Sequence, residues 1–250
     1  MATTGNDGDL IPEAGGVFAT THWSVVLAAK SGGSPRADDA MEKLCRTYWP
    51  PLYAYIRREG HDATEAQDLT QEFFARLLAK DYLQHLRHQE GKFRSFLLTL
   101  LKHFLSDERD KAGAQKRGGG KLQISLDAYE AEEREALTPV DGLTAEQIYE
   151  RRWAQAVMDA AVKRLEEEYQ ARRNTALFAQ LKDLQPGERG EKSYDDIAGL
   201  LGLTEQAVKN AAHTFRRRYA ELIREEIAET VSDPGEIEAE VKHLKQVFAT

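Results

Sequence analysis

The stretch from Lys92 to Lys121 carries residue types that could bind a nucleic acid. Its first half places apolar side chains at three- and four-residue spacing, which is typical of an amphipathic helix, while cations occupy the other face and a basic, glycine-rich tail follows. Cations suit phosphates and aromatic rings suit unstacked bases, so the pattern favours a helix that packs on a bundle and contacts nucleic acid. A solvated surface helix is the plain alternative. The apolar residues are Phe93, Phe96, Leu97, Leu100, Leu101, Phe104 and Leu105.

A second cationic segment lies in a helix-turn-helix pattern. A short helix that begins at Ser193 is followed by a turn and by a second helix that Thr204 can cap. Ala198, Gly202 and Val208 supply the small, turn-forming and branched residues that such a unit needs at its crossing, turn and core. The start of the second helix then faces the major groove. Its candidate contacts are Thr204, Glu205, Gln206, Lys209, Asn210, His213, Arg216 and Arg217, with Arg218 beside them.

Two patterns that resemble catalytic or cofactor sites do not meet the chemical requirements. His85 and His88 are three residues apart, but no third metal ligand stands nearby at suitable spacing. The run ending in Gly120-Lys121 resembles a phosphate loop, but Gln115 replaces the first glycine and Leu122 replaces the Ser or Thr after the lysine. The sequence therefore predicts no catalytic residue, no metal site, no cofactor and no enzyme activity.

Composition predicts a cytoplasmic protein that does not insert into a membrane. The chain has 250 residues with a net charge of −8, and no apolar run approaches the roughly 20 residues of a membrane span. The first residues are acidic and polar, unlike a secretion signal, and the single cysteine, Cys45, suits a reducing compartment. An acidic chain can still bind DNA through local basic patches, because the screening length is only about 8 Å at physiological salt.

The elements that position these residues are all helices. We predict an all-α fold of two small helical domains joined by an acidic linker, the second of which carries the helix-turn-helix. Asp62 and Thr144 are predicted to begin helices, and the pair Pro50 and Pro51 predicts a kink or a restart, with a second helical rod from Leu52 to Arg58. The predicted divisions are a disordered tail (1–16), a first domain (17–121), the linker (122–143), a second domain (144–230) and an extra helix (231–250).

From about Leu44 to Arg224 the chain resembles bacterial RNA polymerase sigma factors of the extracytoplasmic-function (ECF) type. The segment from Tyr48 to Arg58 looks like the opening helix of the family's first domain, and Asp68-Leu69-Thr70-Gln71-Glu72-Phe73-Phe74 looks like its polymerase-clamp-binding segment. The run from Phe93 to Arg109 looks like its promoter-melting helix. The chain departs from the family pattern at Phe96, Ala211 and Thr214, where a tryptophan and two arginines are usual.

The resemblance implies partners and residue roles. The implied partners are core RNA polymerase, contacted at its clamp and flap, and promoter DNA, with an anti-sigma protein or other regulator as a further partner. The helix-turn-helix residues would read the upstream promoter element. The implied polymerase-binding residues are Asp68, Leu69, Gln71, Glu72, Phe73 and Arg76. Promoter melting and downstream reading fall to Lys92, Arg94, Ser95, Phe96, Lys102, His103, Arg109, Lys116 and Arg117.

Two alternatives remain open at this point. A stand-alone helix-turn-helix regulator explains the second domain but leaves the segment from Asp68 to Phe74 and the cationic helix without a role. The extra C-terminal helix, with Ile237, Val241, Leu244 and Phe248 on one face, either packs on its own domain or binds a regulator.

Overall fold

The protein is described by a computed structural model over residues 35–79, 92–114, 142–182, 192–231 and 233–248. Within these ranges every regular element is helical, which confirms the predicted all-α class. The helices are α1 (Pro35–Arg58), α2 (Ala63–Ala79), α3 (Phe93–Ala114), α4 (Ala145–Ala171), α5 (Thr175–Lys182), α6 (Tyr194–Leu201), α7 (Glu205–Ala228) and, after a 3-10 turn (Pro234–Glu236), α8 (Ile237–Val247). The predicted N-terminal tail, His85, His88, Lys116, Arg117 and nearly all of the predicted linker lie outside the described residues.

The first core is built around the aromatic residues of α1, α2 and α3. Phe73 of α2 packs edge-on against Phe104 of α3, with 5.7 Å between the ring centroids. Tyr48 of α1 packs edge-on against Phe93 at the start of α3, with centroids 5.1 Å apart. The N-terminal half of α4 completes this core through Tyr149 and the fully buried Trp153.

The second core joins the C-terminal half of α4 to α5, α6 and α7. Three rings lie at its centre, because Tyr169, Phe178 and Phe215 have pairwise centroid distances of 5.8, 5.8 and 5.9 Å. Ile197 of α6 is completely buried in the same cluster. This core holds α6 and α7 in a fixed relative position, and so positions the predicted DNA-reading helix.

Helices α4 and α7 each contribute to both cores. Helix α4 supplies Trp153 to the first core and Leu165 to the second, while α7 supplies Phe215 to the second core and Ile227 to the first. The chain then continues through Val231 into α8, which packs on the first core and on α4 and α7. The C-terminal segment is therefore part of the body that contains α3. The predicted domain boundaries remain a prediction.

The predicted restart after Pro50 and Pro51 was wrong, since one helix, α1, runs through both prolines. Proline fixes φ near about −65°, a value that a helix also uses, so its cost comes from the missing N–H donor and from crowding against the preceding turn. Burial of the neighbouring side chains offsets that cost. Tyr48, Trp49 and Leu52 are each at most 5% exposed.

The predicted helix starts are confirmed. Thr144 and Ser193 form capping boxes at the starts of α4 and α6, and Thr204 caps α7 by accepting a hydrogen bond from the backbone N–H of Ala207. Asp62 accepts one from the backbone N–H of Glu65 at 2.8 Å. Each cap satisfies an N–H group that a helix start leaves without an intrahelical partner.

Gly202 makes the turn between α6 and α7 in a left-handed conformation, with φ of 66°. We expect Gly202→Ala to lower the free energy of unfolding by about 1–2 kcal/mol, because an L side chain is disfavoured there. Gly199, inside α6 with open space around it, is the matched control. Gly199→Ala should raise stability by about 0.5–1 kcal/mol, because alanine restricts the unfolded chain. Chemical denaturation measures both, and effects of the same sign would contradict this account of the turn.

Candidate nucleic-acid interface

The outer side of α2 carries the predicted docking residues. The side chains of Asp68, Gln71, Glu72 and Arg76 are partly exposed. Arg76 donates to Glu72 at 2.7 Å and also pairs with Glu108 of α3 at 2.7 Å. Arg76 therefore ties α2 to α3, while Asp68, Gln71 and Glu72 form the outward surface, which we call the α2 ridge.

The two apolar residues predicted for docking face inward. Leu69 packs partly buried against the first core. Phe73 is 4% exposed and lies edge-on to both Phe74 and Phe104. These side chains position the α2 ridge on the core, and the Phe73 ring is not available for a direct contact.

The middle of α3 presents polar and cationic groups to solvent. Ser95, Lys102, His103 and Arg109 are exposed, and Phe96 is partly buried with its ring tilted against that of Phe93. Lys102 forms an ion pair with Glu146 of α4 at 2.7 Å, in which both side chains are about half exposed. Exposed pairs of this kind contribute at most about 1 kcal/mol, so Lys102 can exchange Glu146 for a phosphate.

The start of α3 is covered. Arg94, predicted as a promoter contact, is only 6% exposed. Its Nε donates to Glu240 of α8 at 2.7 Å, its Nη1 pairs with Glu150 of α4, and its guanidinium lies 4.9 Å from the ring of Trp153. Lys92 also pairs with Glu240, at 2.5 Å.

Electrostatics keep this cluster charged. Burial alone would raise the pKa of Glu240, but hydrogen bonds from Arg94 and Lys92 outweigh it and hold the pKa below its ordinary value. Because the pKa of Glu240 is lower in the folded protein than the roughly 4.3 of an unfolded chain, the ionised carboxylate stabilises the fold fully at pH values above about 4.3. This stabilisation is lost as the pH falls through the folded-state pKa. The contact between α8 and α3 therefore keeps its charges throughout the neutral range.

Helices α6 and α7 follow one another across the Gly202 turn, in the order that the helix-turn-helix prediction requires. Ala198 and Val208 are buried at 4% and 0% exposure, and the backbone N–H of Leu203 donates to the carbonyl of Ala198 at 2.9 Å across the Gly202 turn. The small residue, the turn and the branched core residue thus occupy their predicted places.

One side of α7 carries the predicted reading residues, and their side chains are exposed from the cap onward. Lys209 pairs with Glu205 at 2.9 Å along the helix, and Arg216 donates to the hydroxyl of Tyr194 at 3.1 Å. These contacts are between exposed groups, so DNA could replace them at small cost. The exposed set is Thr204, Glu205, Gln206, Lys209, Asn210, His213, Arg216 and Arg217.

Arg218 differs from the two arginines before it. It pairs with Glu168 of α4 at 2.7 Å, and with Glu221 and Glu225 on α7 at 3.3 and 2.8 Å. This pairing turns Arg218 toward α4 and away from the reading side, so it supports the second domain. The prediction that it meets a DNA backbone beside Arg216 and Arg217 does not fit this placement.

The sequence analysis missed Glu240, Glu150 and His243. Glu150 pairs with Arg94, and the carboxylate of Glu150 also lies 2.9 Å from Nε2 of His243. The polar positions of α8 gave a weak signal, because Glu240 stands beside the apolar Val241 and Leu244 rather than on the opposite face. Its partner lies 146 residues away in the chain and could not be identified from spacing.

In the part of the chain that the structure describes, no group of three or more His, Cys, Asp or Glu side chains is arranged to hold a metal ion. Among the same residues, no helix is both long and apolar enough to cross a membrane.

A comparison with protein families matches α1 from Leu44 onward, α2 and α3. Residues 44–115 match the family model Sigma-70 region 2. This part of the chain is similar to sigma-70 region 2. It contains the α2 ridge and the cationic helix α3, and it supports a sigma factor that binds RNA polymerase and takes part in promoter melting. The family match covers less than a third of the chain. Comparisons of the chain with curated proteins and with solved structures found no match.

Proposed function

We propose that the chain is an ECF-type sigma factor that binds core RNA polymerase and directs promoter recognition and melting. The observation that carries the proposal is a region 2 domain followed, in the same chain, by a helix-turn-helix whose reading side is exposed. A factor that selects a start site needs a surface for the polymerase, one for melted DNA and one for duplex DNA. The described helices offer one surface for each.

Region 2 docks on the polymerase clamp through the α2 ridge. Asp68, Gln71 and Glu72 make the direct contacts, because their side chains reach the surface. Arg76 holds Glu72 in place and ties the ridge to Glu108. Leu69 and Phe73 support the ridge from below.

The outward side of α3 receives the melted strand. Lys102 and Arg109 supply charge for phosphates, and His103 and Ser95 supply hydrogen bonds. Among the aromatic rings of α3, Phe96 is the least buried and is the one that would stack on a base. Lys116 and Arg117 extend the same cationic series beyond the described end of α3. Lys92 and Arg94 are covered by α8 and are treated below.

The helix-turn-helix reads the upstream promoter element, and its domain contacts the polymerase flap. The acidic linker between the two domains would lie in a basic channel of the polymerase. The net charge of −8 then suppresses binding to DNA in the absence of polymerase. We place the protein in the cytoplasm, where polymerase and promoters are, with an anti-sigma protein as a further candidate partner.

Copurification with core polymerase, followed by run-off transcription, tests the proposal. We expect a stable complex and a transcript from a cognate promoter that core polymerase alone does not produce. A purified, folded chain that neither binds polymerase nor supports a transcript would overturn the proposal.

The second candidate function is a helix-turn-helix regulator that acts without polymerase. The exposed, cationic reading side of α7 favours it. Titration with duplex DNA at physiological salt separates the two functions: a regulator binds its site unaided, whereas a sigma factor binds weakly until polymerase presents it.

Lys209→Ala and Arg216→Ala should each weaken binding of the polymerase complex to promoter DNA by about tenfold. A charge-assisted contact contributes about 1.5 kcal/mol, which corresponds to that factor. Each change should also reduce the steepness of the salt dependence by about 0.9. Fluorescence titrations at several salt concentrations measure both quantities.

Arg218→Ala is the matched control for Arg216→Ala. It removes the same charge two residues further along α7, but from a side chain that pairs with Glu168. We expect lower stability and an unchanged salt slope. If Arg218→Ala reduced the slope as much as Arg216→Ala, the assignment of the exposed side to DNA would be lost.

A further inference from the structure

Glu240 of α8 forms ion pairs with the two cations at the start of α3, Lys92 and Arg94. Its carboxylate is 1% exposed, and its two oxygens receive Arg94 Nε at 2.7 Å and Lys92 Nζ at 2.5 Å. A carboxylate held in this way resembles a phosphate in charge and in its acceptor oxygens, which is why arginine and lysine bind both groups. Within the folded chain, Glu240 therefore satisfies the same donors that a DNA phosphate would need.

The docking of α8 depends on apolar packing, to which the partly buried Ile237 and Val247 also contribute, and on ion pairs of Glu238, Glu240 and His243. Val241 and Leu244 are its buried apolar side chains, and each buried residue of this type contributes about 1.5–3 kcal/mol. The helix has 11 residues, below the roughly 12–15 at which an isolated helix becomes even marginally stable in water. Docking and folding of α8 are therefore coupled, so α8 unfolds when it leaves the first core.

The residues between α7 and α8 place α8 over the start of α3. The backbone N–H of Phe93 lies 3.4 Å from the carbonyl oxygen of Thr230, just after α7. On the other side of α8, Arg224 of α7 pairs with the exposed Glu238 at 2.8 Å. The end of the helix-turn-helix domain and the start of the promoter-melting helix thus meet under α8.

We propose that α8 is an autoinhibitory element: Glu240 takes the position of a single-stranded DNA phosphate on Lys92 and Arg94, and α8 must be displaced before these cations bind DNA. The inference rests on the proposed function, since it assigns α3 to the melted strand. Glu150 still pairs with Arg94 after α8 leaves, so release frees Lys92 fully and Arg94 in part. Binding of polymerase to either domain would supply the displacing free energy.

Fluorescence anisotropy of the full chain with a labelled single-stranded oligonucleotide tests the proposal. Glu240→Gln keeps the size of the side chain and removes its charge, and we expect about tenfold tighter binding. Up to two phosphates are gained, so the salt slope should steepen by up to about 1.4. Glu238→Gln, the same change at the exposed pair with Arg224, should alter affinity far less, because that pair contributes at most about 1 kcal/mol. Adding Lys92→Ala to Glu240→Gln should remove most of the gain, because only Arg94, which still pairs with Glu150, is left to bind a phosphate.

A second variant keeps the test valid if Glu240→Gln does not fold. Val241→Ala combined with Leu244→Ala loosens α8 without changing either cation, and it should give the same gain in affinity. Circular dichroism confirms folding, and hydrogen exchange of residues 237–248 reports release of α8. Folded variants that release α8, or that lose stability, without binding the oligonucleotide more tightly would overturn autoinhibition.

The outcome can be separated from the fate of the proposed function. If the wild-type chain binds polymerase and supports transcription but no variant gains affinity, autoinhibition fails and the sigma-factor function stands. If the chain ignores polymerase and no variant binds the oligonucleotide, both fail. If Glu240→Gln gains affinity and also shortens the lag before transcription, both are supported.

Discussion

The double charge reversal Asp68→Lys and Glu72→Lys on the α2 ridge should abolish binding to core RNA polymerase while leaving the protein folded. Loss of a buried interfacial charge contact costs about 2–5 kcal/mol, so two reversals should weaken the complex by at least about a hundredfold. The fold should survive because both side chains are partly exposed and Arg76 keeps its partner Glu108 when Glu72 is changed. Pull-down with core polymerase and circular dichroism give the two readouts.

The matched control is Glu167→Lys with Glu238→Lys. It makes the same change in net charge, from −8 to −4, at exposed sites on α4 and α8. Polymerase binding should persist, because bulk charge alters association only weakly at physiological salt. A ridge variant that still forms the complex would remove the docking assignment, and a control that loses it would show that net charge, not the α2 ridge, governs binding.

Signals confined to a few neighbouring residues predicted the local structure well. The capping boxes at Thr144 and Ser193, the cap at Thr204 and the turn at Gly202 each depend on residues within about one helical turn. Tertiary packing does not need to be known for such features. The same reasoning failed at Pro50, where burial in the first core outweighed a local preference.

The partners of charged residues could not be predicted, because a cation on a helix looks the same in sequence whatever it meets. Arg216 and Arg218 are two residues apart, yet Arg216 is exposed beside the predicted reading residues and Arg218 pairs with Glu168 of α4. Adjacent positions on a helix differ by about 100°, and the rotation of α7 is fixed by which of its residues enter the second core. Arg94 shows this most clearly. Its two carboxylate partners, Glu150 and Glu240, come from helices that were predicted to lie in the second domain and in the extra C-terminal helix.

Arg94→Met should lower the free energy of unfolding by about 3–5 kcal/mol. The change leaves Glu240 buried with only Lys92 to neutralise it, and breaking a buried ion pair from one side costs about that much. The double variant Arg94→Met with Glu240→Met should recover most of the loss, because two apolar side chains of similar size can pack against Trp153. Chemical denaturation of the two single variants and the double variant measures the coupling.

The exposed pair between Arg224 and Glu238 joins α7 to α8 and provides the comparison. Both side chains are 44% exposed or more, so Arg224→Met should cost at most about 1 kcal/mol and show little coupling to Glu238→Met. The contrast matters because both pairs hold the same helix. If Arg94→Met cost no more than Arg224→Met, Glu240 would not be desolvated in solution, and α8 would not be covering the start of α3 in the free protein.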